Sequence, residues 1–490
     1  MLALLRVLGP LYMKAALRLD GLELRGAEKL VSAWKDFQDG RARLILAFRH
    51  PYGDEPQLFS YLFDLIVPRE ARRLGTALRR RTHARFVHGY EVPLWSGPFV
   101  RWLLPRIGAV PVYHARHDSA SVTRIRTIAK EDDFPLALAP EGQVSYRSET
   151  LPRMENGTAR IAFWCAEDLA RAGRSMPVHV LPLSVHYRRD ESKIGKIETL
   201  VTGLERRCGI APSPEPPAAG PSRRAALKER LAILDLALLG LAESVYGLRP
   251  ADGSRAAGST AGPGAAPARD ARLAALIGAA LDRAESMLGI RSAGPRTGAG
   301  KSTGYGGAGK STGYGGAGKS TGYGGAMDRI ARLYRIRQEG WDCIYPDHDL
   351  DAMKPLERKL ADRRAGEAWY AMRHMETVDL ACYLDSDYMQ GRPGENGPSF
   401  DRLVECAYSL ADLASRLTGG DISDRPDVLR KRVVVIAAEP IDVGARLSDY
   451  RRDRKAAVEA VTAEIARAYE GCIEGYLSGP GLPPSPRSAS

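Results

Sequence analysis

The chain has 490 residues, of which 44% are apolar and 27% are charged, a balance that excludes a disordered or collagen-like protein. This length exceeds what one ordinary core holds, so two or three structural units are expected. The net charge of +12 favours anionic partners, and charge alone does not choose among nucleic acid, an acidic membrane surface and phosphorylated substrates.

Cysteine usage and hydropathy limit the cellular compartment. The six cysteines are scattered without a C-x-x-C pair, which argues against a disulfide framework or a zinc site and suits a reducing cytosol. The first residues, MLALLRVLGPLYMK, are interrupted by Arg6 and Lys14 and do not have the form of a signal peptide. The most apolar later stretch, 231–242, is interrupted by Asp235 and falls short of the ~18 apolar residues of a spanning helix.

The first 200 residues alternate between helical and strand patterns. Residues 10–40 are predicted to form an amphipathic helix, because Tyr12, Ala16 and Leu19 share one face. The predicted strands that follow are LILAF (44–48), AVPV (109–112), PLALA (135–139) and VHVLPLSV (178–185), the last broken by its proline. Such alternation predicts an α/β fold with a mixed, mostly parallel sheet flanked by helices.

The pattern changes near residue 200. Residues 201–428 are predicted to be a mainly helical insertion, within which 250–326, rich in Gly, Ala, Ser and Pro, is predicted to be a disordered linker. KRVVVIAAEPI (431–441) restores a strand pattern, and a final helix is predicted over 451–476. A lone strand needs a sheet to join, so one domain is predicted over 1–200 plus 429–480, followed by a disordered tail at 481–490.

A tandem repeat carries a misleading motif. The nonapeptide GKSTGYGGA occurs three times, from Gly300, Gly309 and Gly318, and it matches both the phosphate-loop and the G-x-S-x-G patterns. Both motifs need a strand before them and a helix after them, whereas the flanks here are more glycine. The repeat is therefore interpreted as a flexible linker.

A histidine and two acids follow the first predicted strand. In LAFRHPYGDEP (46–56), His50 precedes Asp54 and Glu55. Three further segments come later in order: GAVPVYHAR (108–116), a strand leading into Pro140-Glu141-Gly142, and VHVLPLSVHY (178–187). Each segment alone is a weak signal, and the ordered set is a stronger one.

This ordered set resembles the four sequence blocks of the glycerolipid acyltransferase superfamily, in particular its lysophosphatidate acyltransferases. His50 matches the histidine of the His-x4-Asp block, Gly108 to Val112 the second block, Pro140-Glu141-Gly142 the third, and Pro182 the fourth. KRVVVIAAEPI and the helix after it are similar to the closing strand and helix of such domains. The resemblance covers about 10–200 and 430–478 and leaves 200–428 without a functional interpretation.

The chain departs from the family pattern at three places. Glu55 stands five residues after His50, where the family has Asp, and Asp54 lies one residue early; Pro56 after the acid favours Glu55 as the partner of His50. The arginine of the second block is displaced to Arg116. The usual Thr-Arg after Glu-Gly is Gln143-Val144, and the nearest later arginines are Arg147 and Arg153.

The resemblance implies transfer of a fatty acyl group from an acyl thioester to a hydroxyl of a lysophosphatidate-like acceptor. His50 would be the general base and Glu55 (or Asp54) the carboxylate that orients it. Glu141 and Gly142 would bind the acceptor or the oxyanion, and Arg116 and Arg153 its phosphate. Acyl-CoA or acyl carrier protein would be the co-substrate, without metal or other cofactor. We expect a cytoplasmic enzyme of phospholipid biosynthesis, peripherally bound to the anionic inner face of the membrane, with no nucleic-acid partner.

Other interpretations stay open from the sequence. The acceptor can be glycerol 3-phosphate or another lysolipid, or the chain can be a non-catalytic lipid-surface binding protein on the same fold; a nucleotide-binding protein is the third alternative. His114, His117 and Asp118 are followed by no further metal ligand at a sensible spacing, which favours solvated loop residues. The basic run 71–85 fits anionic headgroups or a solvated helix face. An aromatic set fits an acyl tunnel, the membrane interface or core packing: Tyr90, Trp95, Phe99 and Trp102.

Overall fold

The structure is a computed structural model. It describes seven stretches of the chain: residues 2–113, 118–211, 221–248, 265–290, 324–346, 350–391 and 397–479. The GKSTGYGGA repeats up to residue 323, the predicted tail at 481–490 and Arg116 lie outside these described residues.

A single sheet of eight strands organises the described part of the chain. The strands are β1 (Leu19–Arg25), β2 (Arg43–Phe48), β3 (Arg85–Gly89), β4 (Val110–Val112), β5 (Leu136–Leu138), β6 (Val178–Arg189), β7 (Lys431–Ala437) and β8 (Ile441–Asp442). Their order is β1-β7-β6-β2-β5-β3-β4, and β8 also pairs with β6. The β1–β7 pair and every pair among β2 to β6 are parallel, whereas β7 and β8 run antiparallel to β6. The sheet is therefore mixed and mostly parallel.

Helices cover the sheet and form a second cluster beside it. In the described residues they are α1 (Leu2–Ala15), α2 (Ala27–Gln38), α3 (Glu55–Tyr61), α4 (Val67–Arg73), α5 (Val92–Trp95), α6 (Gly97–Arg106), α7 (Ser119–Glu131), α8 (Gly157–Arg171), α9 (Ile194–Arg207), α10 (Pro221–Val245), α11 (Ala265–Leu288), α12 (Gly324–Ile344), α13 (Pro355–Ala381), α14 (Ser386–Gln390), α15 (Phe400–Leu417), α16 (Leu447–Arg452) and α17 (Arg454–Ser478). A π-helical turn, Leu62–Ile66, joins α3 to α4. None of the described helices has both the length and the apolar character needed to cross a membrane.

The central strand β2 is buried at all six positions, because helices cover both faces of the sheet. Its even-numbered residues, such as Leu46, pack against α2, α3 and α4, while Ile45 and Ala47 pack against α7, α8 and α17. This alternation is the strand period of two. It sends Phe48 towards the α2 side and Arg49 towards the α17 side, which positions the residues that follow β2.

A third core joins α9 to α15 and includes Tyr146, from the loop after β5. The helices that follow β6 therefore pack onto the sheet domain through this loop. The strand pattern at 431–441 splits into β7 and β8, and β7 lies between β1 and β6. The prediction that this late strand joins the N-terminal sheet is confirmed.

Several predicted elements are wrong. The helix predicted over 10–40 is interrupted by β1, whose sequence LDGLELR alternates apolar and polar residues as an edge strand does. Strand β3 was missed beside the basic run 71–85. Strand β6 is not broken at Pro182 but continues to Arg189. Helix α11 occupies part of the linker predicted to be disordered over 250–326, because Leu276, Ile277 and Leu281 give it an apolar face that packs in the third core.

The contact between the loop after β5 and α15 buries acids that titrate near neutrality. Burial raises the pKa of Glu149, which accepts a hydrogen bond from Ser399, to about 8, and that of Asp401 to about 7. A glutamate in the unfolded chain has released its proton above about pH 4.3. The folded protein therefore holds protons that the unfolded chain lacks, and this stabilising contribution is lost as the pH rises to about 8.

We expect the free energy of unfolding to fall between pH 6 and 8, and to fall less steeply in Glu149→Gln. One such group contributes at most about 1.4 kcal/mol per pH unit. Urea unfolding at several pH values measures both slopes. A Glu131→Gln variant is the matched control, since Glu131 is exposed on α7. Equal slopes in wild type and Glu149→Gln would show that Glu149 is not protonated in the folded protein.

Candidate active site

His50 and Glu55 form a hydrogen-bonded pair at the carboxyl end of β2. The imidazole Nδ1 lies 2.7 Å from Glu55 Oε2, and the Glu55 side chain is fully buried while that of His50 is 19% exposed. Because a carboxylate accepts, Nδ1 carries the hydrogen and Nε2 carries the lone pair. Within the described residues Nε2 has no hydrogen-bond partner. The pair is therefore a base whose open nitrogen can meet a ligand.

Glu55 opens helix α3, and three donors surround its carboxylate. The Tyr52 N–H donates to Oε1 at 2.9 Å, and the Tyr187 hydroxyl oxygen lies 2.5 Å from the same atom. His50 supplies the third donor. Tyr187 comes from β6, the strand beside β2. The orientation of Glu55, and through it that of His50, is thus fixed by two elements of the sheet.

Asp54 does not contact the imidazole through a hydrogen bond. Its Oδ1 lies 2.7 Å from the Tyr187 hydroxyl, and its Oδ2 lies 2.8 Å from Lys431 Nζ at the start of β7. The sequence left Asp54 and Glu55 as alternative partners of His50, and the structure pairs Glu55 with it. Asp54 and Glu55 thus share Tyr187, whose single hydroxyl hydrogen is donated to one of the two carboxylates at a time.

The pKa values of the pair follow from burial and charge. Burial lowers the pKa of His50, but the hydrogen bond and charge of Glu55, with the charges of Glu141 and Asp54, outweigh burial and raise it above its usual value. Burial raises the pKa of Glu55 to about 7, although the hydrogen bonds from His50 and Tyr187 act in the opposite direction. Because the two groups share a hydrogen bond, their pKa values belong to the pair and not to either residue alone.

Glu141 is buried beneath the site and paired with Arg49. Arg49 Nε donates to Glu141 Oε1 at 3.0 Å, and both side chains are fully buried. The remaining Arg49 nitrogens donate at 2.8 Å to the carbonyl oxygens of three residues of the loop after β5: Arg147, Ser148 and Thr150. The contact of its Oε1 makes Glu141 a residue that positions Arg49 and the loop, and its binding of the acceptor stays a prediction.

The Gly142 turn differs from the expected oxyanion site. Gly142 has φ +74°, and its N–H donates to the Ala139 carbonyl oxygen at 3.1 Å, so this amide is already used within the turn. The next two amides, of Gln143 and Val144, donate no hydrogen bond within the described residues. The Ser145 N–H then donates to the His50 carbonyl oxygen at 3.0 Å, which holds the turn against the histidine. The free donors beside His50 are thus those of Gln143 and Val144.

Only glycine fits at position 142, because a side chain there would clash with neighbouring groups. A Cβ at Gly142 would lie 2.6 Å from the Glu155 carboxyl carbon and 2.7 Å from the Tyr334 hydroxyl. Tyr334 donates to Glu155 Oε1 at 2.5 Å. Tyr334 belongs to α12, so the helical region predicted as an insertion contributes directly to the cover of this turn.

Further side chains of the helical region hold the same loop. Gln143 Nε2 donates to the Tyr383 hydroxyl at 2.7 Å, and Arg147 pairs with Asp385 at 2.5 Å. The Ser148 hydroxyl donates to Glu405 of α15 at 2.6 Å. The loop therefore has a fixed shape imposed by α13 to α15, and the guanidinium of Arg147 is occupied by these contacts.

The predictions for Arg153, Arg116, the metal site and the aromatic set have separate outcomes. Arg153 is exposed in the loop before α8, Arg116 lies outside the described residues, and so do His114 and His117. No group of three His, Cys, Asp or Glu side chains in the described residues is arranged to hold a metal ion. Of the aromatic set, Phe99 and Trp102 are 67% and 45% exposed, so core packing is wrong for both.

Sequence reasoning missed three residues of the site: Arg49, Tyr187 and Lys431. The sequence does indicate a role for Arg49, because a charged residue directly after the buried run LAF needs buried hydrogen-bond partners. Nothing in the sequence indicates Tyr187 or Lys431, because their contacts depend on the order of the strands β7-β6-β2 in the sheet.

In comparisons with protein-family models, with curated proteins and with solved structures, the chain matches none of them.

We expect Arg49→Met to destabilise the protein by about 3–5 kcal/mol, because it leaves the Glu141 carboxylate buried without its cation. The double variant Arg49→Met/Glu141→Gln is expected to recover part of that loss. Urea unfolding of the two single variants and the double variant gives the coupling energy.

Arg73→Met is the control for this measurement. Its ion pair with Glu70 lies on the surface of α4, where Arg73 is 64% exposed, so a loss below about 1 kcal/mol is expected. Additive effects of Arg49→Met and Glu141→Gln would contradict the pairing.

Proposed function

We propose that the protein is an O-acyltransferase that moves a fatty acyl group from an acyl thioester to the hydroxyl of a lysophosphatidate-like acceptor in phospholipid biosynthesis. The observation that supports this most is the His50–Glu55 pair, whose Nε2 is open beside the turn that follows β5. It lies at the carboxyl ends of parallel strands, where open α/β sheets bind ligands. The resemblance to the glycerolipid acyltransferase superfamily supplies the substrate class.

The geometry suits direct transfer between the two substrates. His50 Nε2 takes the proton of the acceptor hydroxyl as its oxygen attacks the thioester carbon, and Glu55 stabilises the imidazolium that forms. The tetrahedral intermediate then expels the thiolate, which takes the proton back from Nε2 and leaves as a thiol. One oxygen ester forms and one thioester breaks, without a covalent enzyme intermediate.

The oxyanion of that intermediate needs hydrogen-bond donors that are not already used. We assign this role to the backbone amides of Gln143 and Val144, in place of Gly142. They follow the Gly142 turn directly and precede Ser145, which is bonded to the His50 carbonyl oxygen. Since Arg49 and Glu141 fix this loop from below and α12 to α15 fix it from above, the amides are held in place before substrate binds.

We assign the acceptor phosphate to two of the arginines predicted from the sequence. Arg147 is unsuited, because it pairs with Asp385 and donates to the Tyr383 carbonyl oxygen. Arg153, which is exposed, and Arg116 remain the proposed phosphate ligands. Acyl-CoA or acyl carrier protein is the proposed donor, and the proposed location is the inner face of the membrane, on the cytoplasmic side.

The test is acceptor-dependent thiol release from palmitoyl-CoA, and in parallel from palmitoyl-acyl carrier protein, with lysophosphatidate. We expect His50→Ala to lower kcat/KM by about a hundredfold to ten-thousandfold, the usual contribution of a general base. Exchanging lysophosphatidate for glycerol 3-phosphate or other lysolipids identifies the acceptor.

His179→Ala is the matched control, because His179 pairs with Leu44 at the opposite end of β2 from His50. It should leave the rate within about twofold of wild type. Equal rates in wild type and His50→Ala would remove His50 as the base. No turnover with either donor across several acceptors would favour a lipid-surface binding protein on this fold.

The pH dependence tests the role of Glu55 separately. A general base acts when neutral, so the rate should rise with pH through the apparent pKa of the pair, above the usual histidine value. Removing the carboxylate in Glu55→Gln removes the charge that raises the His50 pKa. We expect the rising limb of kcat/KM to move to lower pH while its plateau falls.

The Asp54→Asn variant is the control for the pH dependence of kcat/KM in Glu55→Gln. Asp54 acts on the pair only through its charge and Tyr187, so a smaller shift is expected. An unchanged midpoint in Glu55→Gln would contradict the assigned pair.

A further inference from the structure

Helix α6 is apolar and has no buried residue. Its sequence, GPFVRWLLPR, contains Phe99, Trp102 and Leu103, and none of the ten residues of the helix is buried. Phe99 is 67% exposed and Trp102 is 45% exposed. An apolar helix without a buried face is unusual in a soluble protein, since its side chains gain little by folding.

The charged residues on α6 and in its flanking segment are all basic. Arg101 and Arg106 are exposed on the helix, and the segment from Val92 to Tyr113 contains no acidic residue. The Arg106 guanidinium lies 4.5 Å from the centre of the Trp102 ring, and the Phe99 and Trp102 rings lie 6.1 Å apart. Aromatic rings beside arginines combine an apolar surface with groups that bind phosphate.

Another exposed apolar surface in the protein differs in its charges. Leu356 and Leu360 on α13 are 68% and 57% exposed. They stand among ion pairs with acidic residues, such as Arg358–Asp351 and Arg363–Glu367. Mixed charges of this kind are typical of a helix face in water. The α6 surface is therefore the better match to an anionic apolar interface.

The position of α6 connects it with the candidate active site. Helix α6 follows β3, which runs parallel to β5, and β5 runs parallel to β2. The carboxyl ends of these strands meet at one edge of the sheet, so α6 leaves from the edge that carries His50 and Gly142. Tyr90, directly after β3, accepts a hydrogen bond from Gln338 of α12, the helix that also covers the Gly142 turn.

We propose that α6 is the membrane-docking element of the protein, inserting Phe99 and Trp102 into the headgroup region of a bilayer while Arg101 and Arg106 bind anionic lipid phosphates. The occupant of this surface is a lipid bilayer with anionic headgroups. Docking through α6 places the sheet edge with His50 towards the membrane, where an acyl chain can remain partly in lipid during transfer. This orientation rests on the proposed function, whereas docking itself does not.

The experiment is sedimentation of the full chain with vesicles of phosphatidylcholine containing 30% phosphatidylglycerol. We expect Phe99→Ala/Trp102→Ala to weaken binding about tenfold or more, since the bilayer no longer buries two aromatic side chains. Leu356→Ala/Leu360→Ala, with similar exposure, is the matched control and should bind as wild type does. Thermal unfolding confirms that each variant is folded.

Two further variants test how α6 binds. Arg101→Glu/Arg106→Glu should lose binding to the anionic vesicles and leave the weaker binding to pure phosphatidylcholine nearly unchanged. Trp102→Phe should still bind, but it should lose the part of the tryptophan fluorescence that brominated lipids quench in wild type.

The outcomes separate the proposals. His50→Ala should bind vesicles normally even if it has no activity, so failure of the acyltransferase proposal leaves docking intact. Equal vesicle binding by wild type and Phe99→Ala/Trp102→Ala would overturn docking through α6. A change in oligomeric state in that variant, without a change in vesicle binding, would assign the surface to a second copy of the chain instead.

Discussion

The buried guanidinium of Arg49 is the contact on which the candidate site depends. It stands between the last residue of β2 and His50, and it binds Glu141 and three carbonyl oxygens of the loop after β5. A charge in this position is tolerated because each of its three nitrogens donates to a carboxylate or a carbonyl oxygen. The same contact that neutralises Arg49 therefore shapes the loop whose Ser145 N–H donates to the His50 carbonyl oxygen. The hydrogen bonds of Arg49 thus stabilise the fold and shape the candidate site at the same time.

A second set of contacts orients the histidine from the opposite direction. Tyr187 and Lys431 come from β6 and β7, and they hold Glu55 and Asp54 on the far side of β2 from the loop. Helices α12 to α15 then close over the loop through Tyr334, Tyr383 and Glu405. The helical region predicted as an insertion thus supports the site as much as the sheet does.

The sequence predicted those parts of the molecule that are decided locally. Strands β2, β5 and β6 were found because burial on both faces gives continuous apolar runs, and Pro56 correctly favoured Glu55 over Asp54 as the partner of His50. Strand β1 was missed because an edge strand alternates like many polar segments. The buried position of Glu141 was not predictable, since its partner Arg49 is close only after β2 and β5 pair. The local pattern singled out His50 and Glu55, and tertiary pairing determined what surrounds them.

The place of β7 in the sheet has a consequence for how the protein is made. Lys431, which neutralises Asp54, and the strand that separates β1 from β6 both follow the whole helical region in the chain. Since a ribosome delivers residues in order, the first strands emerge with a gap in their sheet and wait for β7 through most of translation. During that interval the edge of β6 is open and the acids near His50 lack their cation. Nascent chains of this protein should therefore need protection by chaperones until β7 has emerged, and a chain cut short before it cannot assemble the site.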